Sequence, residues 1–121
     1  MCFQSPLYLA SKWKGEVIVE AVERYRALGA EWFTLYFREN PSEEVMQVIR
    51  EYETQGILEA INLTLSDATF YDLRYYGELL SIRDCVYRNM YRAKYLAMTD
   101  IDEVIVPQSH TSLANMISFI D

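Results

Sequence analysis

Tyr95-Leu96-Ala97-Met98-Thr99-Asp100-Ile101-Asp102-Glu103-Val104-Ile105-Val106 is the stretch that decides the fold. The apolar run Tyr95–Met98 leads into an acidic triplet, and a second run, Val104–Val106, follows it. Both runs read as strand-like. Two carboxylates at i and i+2 where a strand ends point to one face, about 6.6 Å apart along an extended chain. That spacing lets both reach a single hard divalent cation, one of them through water. Carboxylate oxygens with water suit magnesium or manganese, ions that commonly hold a substrate diphosphate. An isolated acidic triplet is more often a solvated turn, but strand-like flanks favour a site. Glu103 should face away from Asp102 and reads as structural.

Working back from the triplet, strand and helix alternate, which is the signature of a parallel α/β layer. A first strand is expected over Phe3–Leu9 and a first helix over Lys14–Leu28. In that helix Val17, Ile18, Ala21, Val22, Tyr25 and Leu28 form one apolar stripe, and Gly29 stops it. Trp32–Phe37 reads as the second strand. Ser42, after Pro41, caps a second helix with the stripe Val45, Val48, Ile49 and Tyr52, ended by Gly56. Ile57–Leu65 is β-rich enough for a third strand, with Ser66–Thr69 a polar connection. A third helix is expected from about Glu78 to Met90, burying Leu79, Ile82, Val86 and Met90. Tyr95–Met98 is the fourth strand, and Leu113–Ile120 begins a further helix. No internal repeat or low-complexity segment interrupts this order.

At 121 residues the chain is a single domain, large enough for a core but small for an enzyme of this layout. The net charge of −7, with no basic block, argues against nucleic acid as a partner. An acidic chain that binds an anionic diphosphate needs local positive charge, which a bound divalent ion would supply. The apolar runs fall well short of the ~20 residues of a membrane span, and the N-terminus lacks a signal-like apolar segment. Cys2 and Cys85 are the only cysteines. They have neither the C-x-x-C spacing nor the number of a disulfide framework, and read as buried thiols.

In open parallel sheets ligands bind outside the carboxyl ends of the strands. Here those ends are Tyr8–Leu9, Arg38–Asn40, Ser66 and Asp100–Asp102. A nucleotide base fits between the first two, near Tyr8 and Glu39, with its diphosphate carried across to Asp100 and Asp102. Asp84 and Arg88 stand i, i+4 on the third helix and suit a surface pair. Arg83 is a second candidate partner for Asp84 or for a phosphate. His110 is the lone histidine and reads as a surface residue. Asn62-Leu63-Thr64 is a glycosylation sequon, expected to be unused because it falls in a strand.

Taken together, Tyr76-Gly77-Glu78, Asp84-Cys85-Val86-Tyr87-Arg88-Asn89, Arg92-Ala93-Lys94-Tyr95 and Asp100-Ile101-Asp102-Glu103-Val104-Ile105-Val106-Pro107 resemble glycosyltransferase family 92. The opening Cys2-Phe3-Gln4-Ser5-Pro6-Leu7-Tyr8 is similar to the family's start, and Tyr25–Ala30 and Tyr52–Gly56 fit the segments between. The resemblance implies a GT-A-like, Rossmann-like, mostly parallel sheet flanked by helices. It also implies a metal-dependent, inverting hexosyl transfer, with galactose passing from UDP-galactose to a glycan acceptor. Manganese would sit on Asp100 and Asp102, while Glu78 and Asp84 would shape the donor site. Many family members have Gln where this chain has Glu78, which exchanges an amide donor for a charge. Both cysteines fall in matching segments, so a bridge between them is open if the compartment is secretory. Family members are Golgi proteins facing the lumen from an N-terminal anchor.

That anchor has no counterpart here, and the general base of such enzymes usually follows the acidic triplet, where little chain remains. Residues 1–121 are therefore expected to be the donor half of a longer enzyme, inactive by itself. Two other readings compete. One is a non-catalytic remnant that binds nucleotide sugar. The other is a haloacid-dehalogenase-type phosphatase with Asp100 as nucleophile and Asp102 as acid. In such phosphatases the motif opens the domain, whereas here it comes near the end.

Overall fold

A five-residue strand buried from end to end, Phe33–Phe37, sets the architecture. Such a strand needs cover on both faces of its sheet, and parallel α/β layers provide it. The structure is a computed structural model that describes residues 1–7, 14–38, 41–63 and 78–120. Its elements run β1 (Cys2–Leu7), α1 (Gly15–Ala27), β2 (Phe33–Phe37), α2 (Glu43–Thr54), β3 (Leu58–Asn62), α3 (Glu78–Asn89), β4 (Met98–Thr99) and α4 (Leu113–Ile120). The four strands form one parallel sheet in the order β3-β2-β1-β4. The chain steps outward from β1 to β3, then crosses back to place β4 on the other side of β1. The gap between β1 and β4 is thus the point where strand order reverses, the usual place for a ligand in open α/β sheets.

Side chains alternate across this sheet as a two-residue period requires. Phe3, Phe33, Leu35, Phe37 and Leu58 face α1 and α2 and share a core with Ile18, Ala21, Val22, Tyr25, Val45, Ile49 and Tyr52. Phe3 and Phe33 stack there with ring centroids 6.2 Å apart. On the opposite face Cys2 and Tyr36 meet Cys85 of α3. The apolar stripes of α1 and α2 therefore do what their spacing implies. Ser42 caps α2 by accepting from the Val45 amide. Both helices end on a glycine with positive φ, Gly29 at 95° and Gly56 at 74°. In each case the two amides after the helix turn back to its last carbonyls: Gly29 and Ala30 to Arg26 and Tyr25, Gly56 and Ile57 to Glu53 and Tyr52. A side chain at either glycine would strain that backbone.

The third helix departs from expectation. Its buried residues are Ser81, Cys85 and Asn89, while Leu79, Val86 and Met90 are exposed and Ile82 is only half-buried. The helix is turned by one residue, about 100°, from the apolar stripe. Covalent and polar ties account for the rotation. Cys85 is bridged to Cys2, with Cα atoms 6.4 Å apart, so the reading of two free thiols is corrected. Asn89, with 1% of its surface exposed, donates to Thr34 Oγ1 at 3.2 Å and to the Cys85 carbonyl at 3.0 Å.

Strand boundaries also shift. β4 covers only Met98–Thr99, later and shorter than the apolar run, and among the described residues Val104–Val106 pairs with no strand. Leu113–Ile120 is helical as expected; Ser112 accepts from the Asn115 amide, and the Leu113 amide reaches the Leu28 carbonyl at 2.9 Å. Leu9 and the connection Ser66–Thr69 lie outside the described residues.

Candidate functional site

Asp100 begins where β4 ends, and Ile101-Asp102 form a turn rather than a continuation of the strand. Asp100 and Asp102 are therefore not an extended i, i+2 pair on one face of a strand. Ile101 is buried in the main core, leaving Asp100 half-buried and Asp102 exposed on either side of it. The turn closes with the Glu103 amide donating to the Asp100 carbonyl at 3.1 Å. Glu103 bonds back across the turn with its side chain as well. Its Oε2 accepts from the Asp100 amide at 3.4 Å and from Thr99 Oγ1 at 3.5 Å.

Beyond the turn, the buried phenol of Tyr25 in α1 donates to the Glu103 carbonyl at 3.0 Å and accepts from the Ile105 amide at 3.1 Å. Val104–Val106 thus finds a side chain where a strand would find a neighbour. In the sequence Tyr25 belongs to an apolar stripe and to a family-like segment, and nothing in its spacing signals the phenol's task.

Asp84 stands on α3 facing the sheet. It accepts from Tyr36 Oη at 2.6 Å and from Arg88 Nε at 2.9 Å. Arg88 also donates to Glu59 of β3 at 3.1 Å, and Arg92 lies 3.5 Å from the same carboxylate. The Arg88 bond, aided by the Tyr36 phenol, holds the Asp84 carboxyl below its ordinary range despite partial burial. Arg83, the other candidate partner, is exposed. Asn89 reaches Thr34 while Asp84 reaches Tyr36, further along β2, so α3 runs antiparallel to that strand. Glu78, at the start of α3, accordingly lies toward the carboxyl edge of the sheet, where an acidic residue suits the helix dipole. It is half-buried, and its carbonyl accepts from Ser81 Oγ at 2.7 Å.

Tyr8 and Glu39, expected near a base, lie outside the described residues. Arg38, the last described residue after β2, is half-buried at the same carboxyl edge. His110 is half-buried rather than a plain surface residue, with its ring 5.2 Å from that of Phe119. Asn62 is the exposed last residue of β3.

Among the described residues no three or more His, Cys, Asp or Glu gather as a metal cage. Asp100 and Asp102 instead offer hard oxygen ligands on one short turn. That donor set fits magnesium or manganese, which keep several waters and share their shell with phosphate oxygens. A closed, all-protein site it does not fit. No described helix is long and apolar enough to cross a membrane.

Comparison with curated proteins and with solved structures gives no match. Comparison with family models does: that of glycosyltransferase family 92 matches residues 1–120, in effect the whole chain. The four-stranded parallel sheet flanked by helices is consistent with a GT-A-like, Rossmann-like fold. The chain belongs to glycosyltransferase family 92.

Proposed function

We propose that this chain forms the nucleotide-sugar-binding half of a metal-dependent, inverting hexosyltransferase that passes galactose from UDP-galactose to a glycan acceptor. The observation that carries the reading is the Asp100–Asp102 turn, anchored by buried Ile101 beside the point where strand order reverses. Glycosyl transfer follows from the family; donor, sugar, metal and stereochemistry are the proposal's own additions.

In this reading Asp100 and Asp102 hold a divalent ion, manganese, jointly with the donor diphosphate. When bound, that ion offsets the negative charge that develops on the departing diphosphate. Tyr8 and Glu39, following β1 and β2, flank the base, since β2 and β4 lie on opposite sides of β1. Glu78 and Asp84 shape the donor side from α3. Asp84 is kept ionised and fixed by Arg88 and Tyr36, so its part is to hold α3 in place against the sheet. The disulfide between Cys2 and Cys85 supports an oxidising compartment, which agrees with a lumenal, Golgi location.

Calorimetric titration with UDP tests the assignment. Affinity should rise sharply when manganese is added and fall in Asp102→Ala. Equal affinity with and without manganese would sink it.

A further inference from the structure

We infer that Tyr25 is a positioning residue for the donor site, its phenol oxygen fixing the limb of chain that leaves the Asp100–Asp102 turn. The inference rests on the assignment of that turn as the ion and diphosphate site. Tyr25 is fully buried, and its ring fills space between α1 and β1, 6.4 Å from the ring of Phe3. A phenylalanine would fill that space equally well, so packing explains the ring and not the oxygen. A buried hydroxyl needs partners, and these are backbone groups 78 and 80 residues away, the Glu103 carbonyl and the Ile105 amide.

Those two groups straddle Val104, two residues after Asp102. Among the described residues no strand pairs with this limb. The turn is otherwise held by Ile101 in the core, by the Glu103 amide on the Asp100 carbonyl and by Glu103 Oε2 on the Asp100 amide and Thr99 hydroxyl. Tyr25 holds the limb that leaves it. With turn and limb both held, the two carboxylates keep one separation before any ligand arrives. Without the phenol oxygen the limb keeps the packing of Ile105 against the core but loses these two hydrogen bonds, and the ion must order it further on binding. Groups that orient metal ligands in this way typically change metal affinity by about 10–100-fold.

The test compares Tyr25→Phe with Tyr52→Phe. Tyr52 holds the matching place near the end of α2, and its phenol donates to the Glu23 side chain of α1 at 2.9 Å, not to the limb. Both variants lose one phenol oxygen, so both report the general cost of that loss. Manganese binding in the presence of UDP is measured by electron paramagnetic resonance on the full chain. Tyr25→Phe should weaken it by about tenfold or more, with Tyr52→Phe unchanged. Equal weakening in both variants, or none in Tyr25→Phe, overturns the inference. Absence of manganese binding by the wild-type chain overturns instead the assignment on which it rests. If Tyr25→Phe fails to fold, amide exchange in the wild-type chain decides. Saturating manganese and UDP must slow exchange at Ile105 more than at Ala30, and equal slowing refutes the role.

Discussion

Tyr36 donates its phenolic hydrogen to Asp84 Oδ2 at 2.6 Å, and this bond ties the centre of the sheet to the helix that crosses its back. Tyr36 is fully buried, and burial together with the Asp84 carboxylate pushes its ionisation well above the ordinary range. The carboxylate is shared with Arg88, which spans to β3 through Glu59. The face of α3 toward the sheet is consequently a polar seam, closed by a disulfide, rather than an apolar one.

A pH dependence follows from that seam. The Asp84 carboxyl is depressed in the folded state, first by its hydrogen bond to Arg88 and then, against some desolvation, by Tyr36. A depressed acid stabilises fully above its unfolded value, near 3.8, and loses that contribution as pH falls through the folded value. Asp84→Asn should therefore lower the urea midpoint at pH 7 and differ less from wild type in strong acid. Tyr36→Phe should cost about 1–2 kcal/mol at neutral pH. Parallel pH profiles for wild type and Asp84→Asn would show that the carboxylate does not act this way.

The disulfide joins residues 83 apart and is buried, both cysteines being at most 1% exposed. Closing a loop of that length is worth about 4–5 kcal/mol, a large share of the ~5–15 kcal/mol typical of a domain. Chemical denaturation with and without reductant should show a loss of that order, as should Cys2→Ser with Cys85→Ser. The oxidised chain should also present no titratable thiol. A denaturation midpoint indifferent to reductant would remove the bridge from the account.

Because α3 turns its polar side to the sheet, its apolar residues face outward. Leu79, Leu80, Val86, Tyr87, Met90 and Tyr91 are all exposed, as are Phe119 and Ile120 of α4. An apolar patch of this kind promotes association. Sedimentation should find concentration-dependent self-association, reduced by Tyr87→Lys or Phe119→Lys. A monodisperse monomer across the accessible concentration range is the opposing result.

The sequence carried the α/β order because helical stripes and short apolar runs are local signals. The stripes of α1 and α2 bury Ile18, Val22, Val45 and Ile49 as their spacing implies. It misjudged α3 because its orientation is decided by partners distant in sequence: Cys2 for Cys85, Thr34 for Asn89, Tyr36 for Asp84. Local apolar periodicity at Leu79, Val86 and Met90 gave no hint of them. The acidic turn was legible as a motif, whereas its geometry depends on Ile101 entering the core and on Tyr25. Strand β4 proved shorter than its apolar run since only Met98 and Thr99 find register with Cys2 and Phe3.

The most direct measurement is paramagnetic broadening of backbone amide signals on adding manganese with UDP to the isotopically labelled chain. The account requires selective loss of signal at Asp100–Glu103 and weaker effects at Glu78, with α2 unaffected. It also requires that Asp100→Asn with Asp102→Asn abolish the pattern while the fold persists. Broadening centred elsewhere, or a pattern that survives the double substitution, would contradict the claim that this turn is the donor and ion site.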